Sequence, residues 1–261
     1  MEALLKDKNA VICGSTQGIG LAIAEGMAES GANVTLVARN QESLKKVQSG
    51  LKREDGQVHD YIVADFNDLD AVGEAMRHYA ENKDVQILVN NTGGPKGGPI
   101  TEAGTDEFVK AFSNHLLCNQ VITQSLLEGM KRSGYGRIIN IISTSVKVPI
   151  NGLGVSNTTR GAVASWGKTM ANELGQYGIT VNNILPGMTD TQRLSDLIKA
   201  KADQQGITIE EVTTKMIEEI PMGRFATPEE IAHAVIFLAS PLASYINGIN
   251  VPIDGGRTGS L

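Results

Sequence analysis

The sequence has no run of eighteen apolar residues, which excludes a helix able to span a bilayer. It shows no charged leader followed by a short apolar stretch, so the expected location is the cytoplasm. Cysteine is scarce. Cys13 and Cys118 lie far apart and suit small buried hydrophobes in a reducing compartment, not a disulfide framework. Positive charge is not in surplus either: 23 Lys and Arg against 29 Asp and Glu leave a formal charge of -6, no footprint for nucleic acid. The four histidines are not spaced as metal ligands, so no metal is expected, and no internal repeat, linker or low-complexity tract divides the chain. What is left, 41% hydrophobic and 20% charged over 261 residues, is ordinary for a globular protein and suits one domain spanning 1–261.

The most informative stretch runs from Asn9 to Gly20. An apolar strand, Ala10 to Cys13, breaks into Gly14, Gly18 and Gly20 before Leu21, Ala22, Ile23, Ala24, Met27 and Ala28 open a helical apolar face. A strand turning through glycines into a helix cradles an anion: glycine permits unusual backbone angles and close approach, and the helix start offers unpaired N–H groups and a positive dipole end. The spacing G-x-x-x-G-x-G is a weak signal by itself, equally consistent with a tight packing turn. The strand and helix alternation that follows favours a ligand.

Val34 to Ala38 forms a second strand and ends at Arg39, with no acidic residue beside it. An acid there would bind a ribose 2′-hydroxyl, whereas an arginine accommodates a 2′-phosphate. Arg39 therefore points to NADP(H) in preference to NAD, or else is a solvated charge at the next helix start. Helices are expected over Gln41 to Arg53, Leu69 to Tyr79, Asp106 to about Lys131, Val155 to Gln176 and Ile231 to Ala239, the last opened by the cap Thr227-Pro228-Glu229-Glu230. Further strands are expected at Val58 to Ala64, Ile87 to Val89, Ile138 to Ile142, Ile179 to Leu185 and Ile249 to Ile253. Residues 188–225 contain no obvious strand and read as a substrate lid or a solvated helical insertion. The fold class is α/β, a doubly wound parallel sheet of about seven strands with helices on both faces.

These residues resemble the short-chain dehydrogenases/reductases over nearly the whole chain. Gly14-Ser15-Thr16-Gln17-Gly18-Ile19-Gly20 is similar to that family's cofactor loop, Asp65 to its adenine-contacting acid, and Asn90-Asn91-Thr92-Gly93 to its Asn-Asn-Ala-Gly motif. Pro186-Gly187 with Thr191 resembles its nicotinamide-contacting turn, and Asp254-Gly255-Gly256 its C-terminal signature. The resemblance implies a Rossmann-type fold and NADP contacts at Gly14 to Gly20, Arg39, Asp65, Phe66, Asn91, Thr92, Gly93, Arg160, Pro186, Gly187, Thr189 and Thr191. It also implies a small-molecule substrate and a homo-oligomer, dimer or tetramer, paired through the helices from Asp106 and Val155 and a second contact at the C-terminal strand.

The family's catalytic pattern is a serine, a tyrosine thirteen residues later and a lysine four beyond that. Ser143 fits the serine, but Ser156 and Arg160 occupy the other two places, and no tyrosine occurs between Tyr135 and Tyr177. The family's asparagine on the preceding helix falls at His115, or at Asn114 with a one-residue slip. In the family the phenol delivers a proton to the developing alkoxide; a serine hydroxyl is too weakly acidic for that, and arginine stays protonated. Arg160 is left to hold the nicotinamide ribose or an acidic group on the substrate. His115 is expected to titrate near neutrality and to transfer the proton, or to be an ordinary helix residue; Ser143 orients a carbonyl or caps a corner. His59, His78 and His233 are expected on surface elements without a role. The reading is an NADP(H)-dependent oxidoreductase acting on a small carbonyl or alcohol with a non-standard proton donor. Its alternatives are a cofactor-binding relative without dehydrogenase activity, such as a sensor or assembly subunit, and a non-redox reaction in the same pocket.

Overall fold

Short runs rich in Val and Ile supply the strands of the computed structural model, which describes residues 4–54 and 56–260. In chain order they are β1 (Asn9–Cys13), β2 (Asn33–Ala38), β3 (Asp60–Val63), β4 (Ile87–Asn90), β5 (Gly136–Ile141), β6 (Ile179–Pro186) and β7 (Asn250–Ile253). They pair in the order β3-β2-β1-β4-β5-β6-β7, and every neighbouring pair is parallel. Strands covered on both faces need apolar side chains on both. β4 and β5 are accordingly buried at every position, whereas no residue of the edge strands β3 and β7 is.

The helices are α1 (Gly18–Glu29), α2 (Gln41–Gly50), α3 (Leu69–Asn82), α4 (Thr105–Phe112), α5 (Cys118–Ser133), α6 (Gly154–Leu174), α7 (Gln192–Gln205), α8 (Ile209–Glu218) and α9 (Pro228–Ala239). Alternation along β1 sorts them into two layers. Ala10 and Ile12 face Ile23 and Met27 of α1 and Val235 of α9, while Val11 and Cys13 face Met76 of α3 and Ile122, Leu126 and Met130 of α5. The chain winds outward from β1 to β3, then crosses back to β4 on the other side of β1. That reversal opens a crevice at the carboxyl ends of β1 and β4, the usual ligand position in such sheets.

Some boundaries differ from the sequence-based expectation. α2 stops at Gly50, not Arg53, because Leu51 is extended (φ -63, ψ 135) and buries its side chain instead of continuing the turn. β3 shrinks to Asp60–Val63 because an edge strand has one neighbour, and its register with β2 runs from Thr35↔Asp60 to Ala38↔Val63. The long helix expected from Asp106 is α4 and α5 joined by a π-helical turn, Ser113–Leu117. Such turns carry one extra residue and often mark functional sites. Residues 188–225 contain α7 and α8, which bury Leu194, Ile198, Ala202, Val212 and Met216 against one another, so the insertion is not wholly solvated. The cap before α9 forms as expected: Glu230 N donates to Thr227 Oγ1 at 3.4 Å and Thr227 N to Glu230 Oε2 at 2.9 Å. Among the described residues no helix is long and apolar enough to cross a membrane.

One polar feature runs through the sheet. Asn90, Asn140, Asn183 and Asn250 stand in register on β4, β5, β6 and β7, and each side-chain amide donates to the next side-chain carbonyl at 2.8–2.9 Å. A buried amide costs free energy unless it is bonded, and the ladder bonds its successive links while Asn90 Oδ1 at its head is buried without a partner. A Cβ on Gly167 of α6 would stand 2.9 Å from Asn183 Oδ1, so the glycine lets the helix lie on this ladder.

Candidate functional site

At the crevice, β1 turns into α1 through Gly14 (φ +59) and Gly18 (φ +52). A Cβ on Gly20 would lie 2.1 Å from the Gly14 carbonyl oxygen, a separation no side chain tolerates. Gln17, extended at the helix N-cap, makes no side-chain capping bond, and the first turn holds no acid. The free N–H groups and the dipole's positive end are thus left for an anion, and the cradle suits a diphosphate. Neighbouring strands brace the loop. Asn91 Nδ2 donates to the carbonyls of Cys13 and Gly14 at 3.2 Å, and Ser15 Oγ accepts from Val37 N at 3.0 Å. Thr16 is half-buried and Gln17 exposed, while Ile19 packs on the core.

Arg39 follows β2 and is exposed. Asp65 follows β3, and its carboxyl is held below the usual range first by the N–H groups of Asn67 and further by the Arg39 and Lys110 charges. Phe66 packs into the core layer that contains α3.

Across the crevice, a second group gathers at the ends of β4, β5 and β6. His115 lies in the π-helical turn, 2% exposed, its Nδ1 sharing a hydrogen bond with Thr92 Oγ1. Arg160 on α6 is 8% exposed; Nη1 donates to the Ile141 carbonyl at 3.1 Å and Nη2 to the Thr92 carbonyl at 3.4 Å. Ser156 is half-buried one turn earlier on α6. Ser143 Oγ accepts from Ser145 N at 3.1 Å, capping the turn after β5 and keeping its own proton to donate. Asn114 points elsewhere, donating to Asn67 Oδ1 at 3.0 Å.

Gly187 N donates to the Ile253 carbonyl at 2.9 Å, so the Pro186-Gly187 turn lies against Asp254, whose carboxylate accepts from Gly256 N and Thr258 N. Thr189 is buried, its Oγ1 donating to the Gly187 carbonyl. Thr191 caps α7, and its methyl carbon is 3.2 Å from where a Cβ on Gly18 would stand. The start of α7 therefore rests on the glycine loop. Gly93 is exposed with open space around it.

Electrostatics correct two expectations. Burial, with help from the Arg160 and Arg193 charges, pushes the His115 imidazole down to about 3, so it is neutral at pH 7 and does not titrate near neutrality. His59 is buried, not on the surface, with Nδ1 accepting from Val34 N and Nε2 bonded to the Lys52 carbonyl. His78 and His233 are exposed as expected. Burial and Arg193 also lower Arg160 to about 10, which leaves it cationic at neutral pH. Among the described residues no cluster of three His, Cys, Asp or Glu is able to hold a metal.

Residues 14–258 match the family described as enoyl-(acyl carrier protein) reductase. The chain belongs to the short-chain dehydrogenases/reductases. Among its relatives is gluconate 5-dehydrogenase of Gluconobacter oxydans, 33% identical over 98% of this chain and 97% of that protein. Another is the 3-oxoacyl-(acyl-carrier-protein) reductase FabG of Aquifex aeolicus, 30% identical over 98% and 99%. The crystal structure of L-sorbose reductase from Gluconobacter frateurii, complexed with NADPH and L-sorbose, superposes with a TM-score of 0.93 at 31% identity and covers all of both chains.

Family membership does not by itself set the reaction, because a fold hosts many chemistries and the side chains choose. Within this short-chain dehydrogenase/reductase, sequence reasoning missed Arg193. It lies in the first turn of α7 and is exposed, with Nη1 donating to the Gly94 carbonyl at 3.2 Å and Nη2 to the Pro95 carbonyl at 3.3 Å. The available signal was local: a cation in the first turn of a helix opposes the dipole and needs another reason to be there.

Proposed function

We propose that this short-chain dehydrogenase/reductase is an NADP(H)-dependent oxidoreductase acting on a small carbonyl or alcohol, with a proton path that does not use the family's tyrosine. The observation that carries the reading is the uncapped start of α1 behind Gly14, Gly18 and Gly20, with Arg39 and no acid beside it at the end of β2. A guanidinium at that strand end pairs with a 2′-phosphate. The NADPH in the L-sorbose reductase crystal structure supports the same choice.

When bound, NADPH supplies the hydride. The chain's own groups then have to stabilise and protonate the developing oxyanion. Ser156 and Arg160 stand where the family pattern has tyrosine and lysine, and neither donates a proton readily at pH 7. His115 is neutral and its imidazolium is out of reach. The hydroxyls of Ser143 and Ser156 therefore orient the oxygen and pass a proton from water, while the Arg160 charge offsets the negative charge that develops. Residues 188–225 act as the lid of a single catalytic domain, a reading supported by the bonds from Arg193 to Gly94 and Pro95. The exposed Val109 and Leu117 on the α4–α5 face support a homo-oligomer.

NADPH fluorescence on titration, then absorbance at the nicotinamide band against ketones, aldehydes and alcohols, tests the reading. Saturable binding with turnover of at least one compound is expected. Binding without turnover across the panel favours a cofactor-binding sensor or assembly subunit, a reading supported by the absence of a near-neutral acid among Ser143, Ser156, Arg160 and His115.

A further inference from the structure

We infer that Arg160 and Arg193 form a clamp for a carboxylate carried by the substrate, an inference that rests on the oxidoreductase reading above and names its substrate class. A Cβ on Gly94 would lie 2.8 Å from Nη2 of Arg193 and 3.6 Å from Nη2 of Arg160, so the missing side chain lets two guanidiniums from different helices come together over this loop. Among the described residues their hydrogen-bond partners are backbone carbonyls: Ile141 and Thr92 for Arg160, Gly94 and Pro95 for Arg193.

Among the described residues neither arginine forms an ion pair with a carboxylate. The charged groups that perturb Arg160 and His115 are all positive, and the neutral His115 adds no counter-charge. Two like charges held this close, one of them nearly buried, make a field that an anion relieves. Each guanidinium has five N–H donors and spends two on the protein, which leaves N–H donors for a planar two-oxygen partner. Arg160 comes from the catalytic helix and Arg193 from the insertion, so a bound carboxylate would also hold the insertion over the pocket.

The test is isothermal titration of the full chain, with and without saturating NADP+, using gluconate, acetoacetate, the neutral polyol sorbitol and inorganic phosphate. At least one carboxylate is expected to bind saturably and sorbitol not to bind. Arg193→Gln should weaken that carboxylate by roughly tenfold or more, and Arg193→Lys should recover part of the loss. Arg193 is exposed, so circular dichroism of both variants should match the wild type. Equal carboxylate affinity in wild type and Arg193→Gln overturns the clamp, as does binding of phosphate or sorbitol but of neither carboxylate. NADPH fluorescence on the same preparations separates the two readings: absent NADPH binding removes the oxidoreductase reading, while the cofactor-free titration still decides the clamp.

Discussion

The two sides of the crevice are built from different materials. On the β1 side the anion cradle is backbone: glycine turns, an uncapped helix start and carbonyls held by Asn91. On the β5 side the groups in place are side chains, Ser143, Ser156, Arg160 and His115; the first caps its own turn, while Arg160 and His115 are bonded to Ile141 and Thr92 on other elements. A backbone site tolerates nothing but glycine at its tightest points, so its motif stays readable. A side-chain site can exchange phenol for hydroxyl while the scaffold stays as it is, and its motif is lost without any change of fold.

The largest effect should come from breaking the backbone side. Gly20→Ala places a methyl group 2.1 Å from the Gly14 carbonyl and should weaken NADPH binding by roughly a hundredfold or more, read by fluorescence, whereas Ser156→Ala should leave that affinity nearly unchanged. If both variants bind alike, the contrast between the two sides is wrong. Next, Ser156→Tyr with Arg160→Lys should raise the reduction rate of neutral ketones by about 100-fold or more, the lower end of what a restored general acid contributes. No gain over wild type would mean the β5 side works by other means.

Smaller effects probe what lies beneath. Asn140→Ala leaves Asn90 Nδ2 and Asn183 Oδ1 without partners, so the urea midpoint should fall by the equivalent of about 2–4 kcal/mol. His115 is depressed to about 3 in the folded chain against 6.5 unfolded, so the unfolded state binds the extra proton between those values and stability rises with pH there. Its contribution is complete above about pH 6.5 and should be lost on acidification at up to about 1.4 kcal/mol per pH unit. His115→Asn should flatten that part of the profile, and identical profiles would remove the neutral imidazole from the account. The smallest effect is expected at a cap remote from the site: Thr227→Ala should cost about 1 kcal/mol in thermal or urea unfolding and leave NADPH binding intact.

The alternation of strands and helices and the glycine cradle follow from patterns within a few residues, since hydrophobic period and turn chemistry are local properties of the chain, whereas the strand order needed the folded sheet. Ser143, Ser156 and Arg160 were legible only by laying the family's catalytic pattern over the sequence. The asparagine ladder was not, because Asn90, Asn140, Asn183 and Asn250 meet only through the register of four strands. Nor were the neutrality of His115 and the pairing of Arg193 with Arg160, since both depend on burial and on charges brought in by α6 and α7. The sequence alone determined the architecture and the cradle, because backbone geometry is written into glycine and periodicity. The tertiary structure decided protonation and the charge of the pocket, because desolvation and Coulomb energies depend on which distant groups folding makes neighbours.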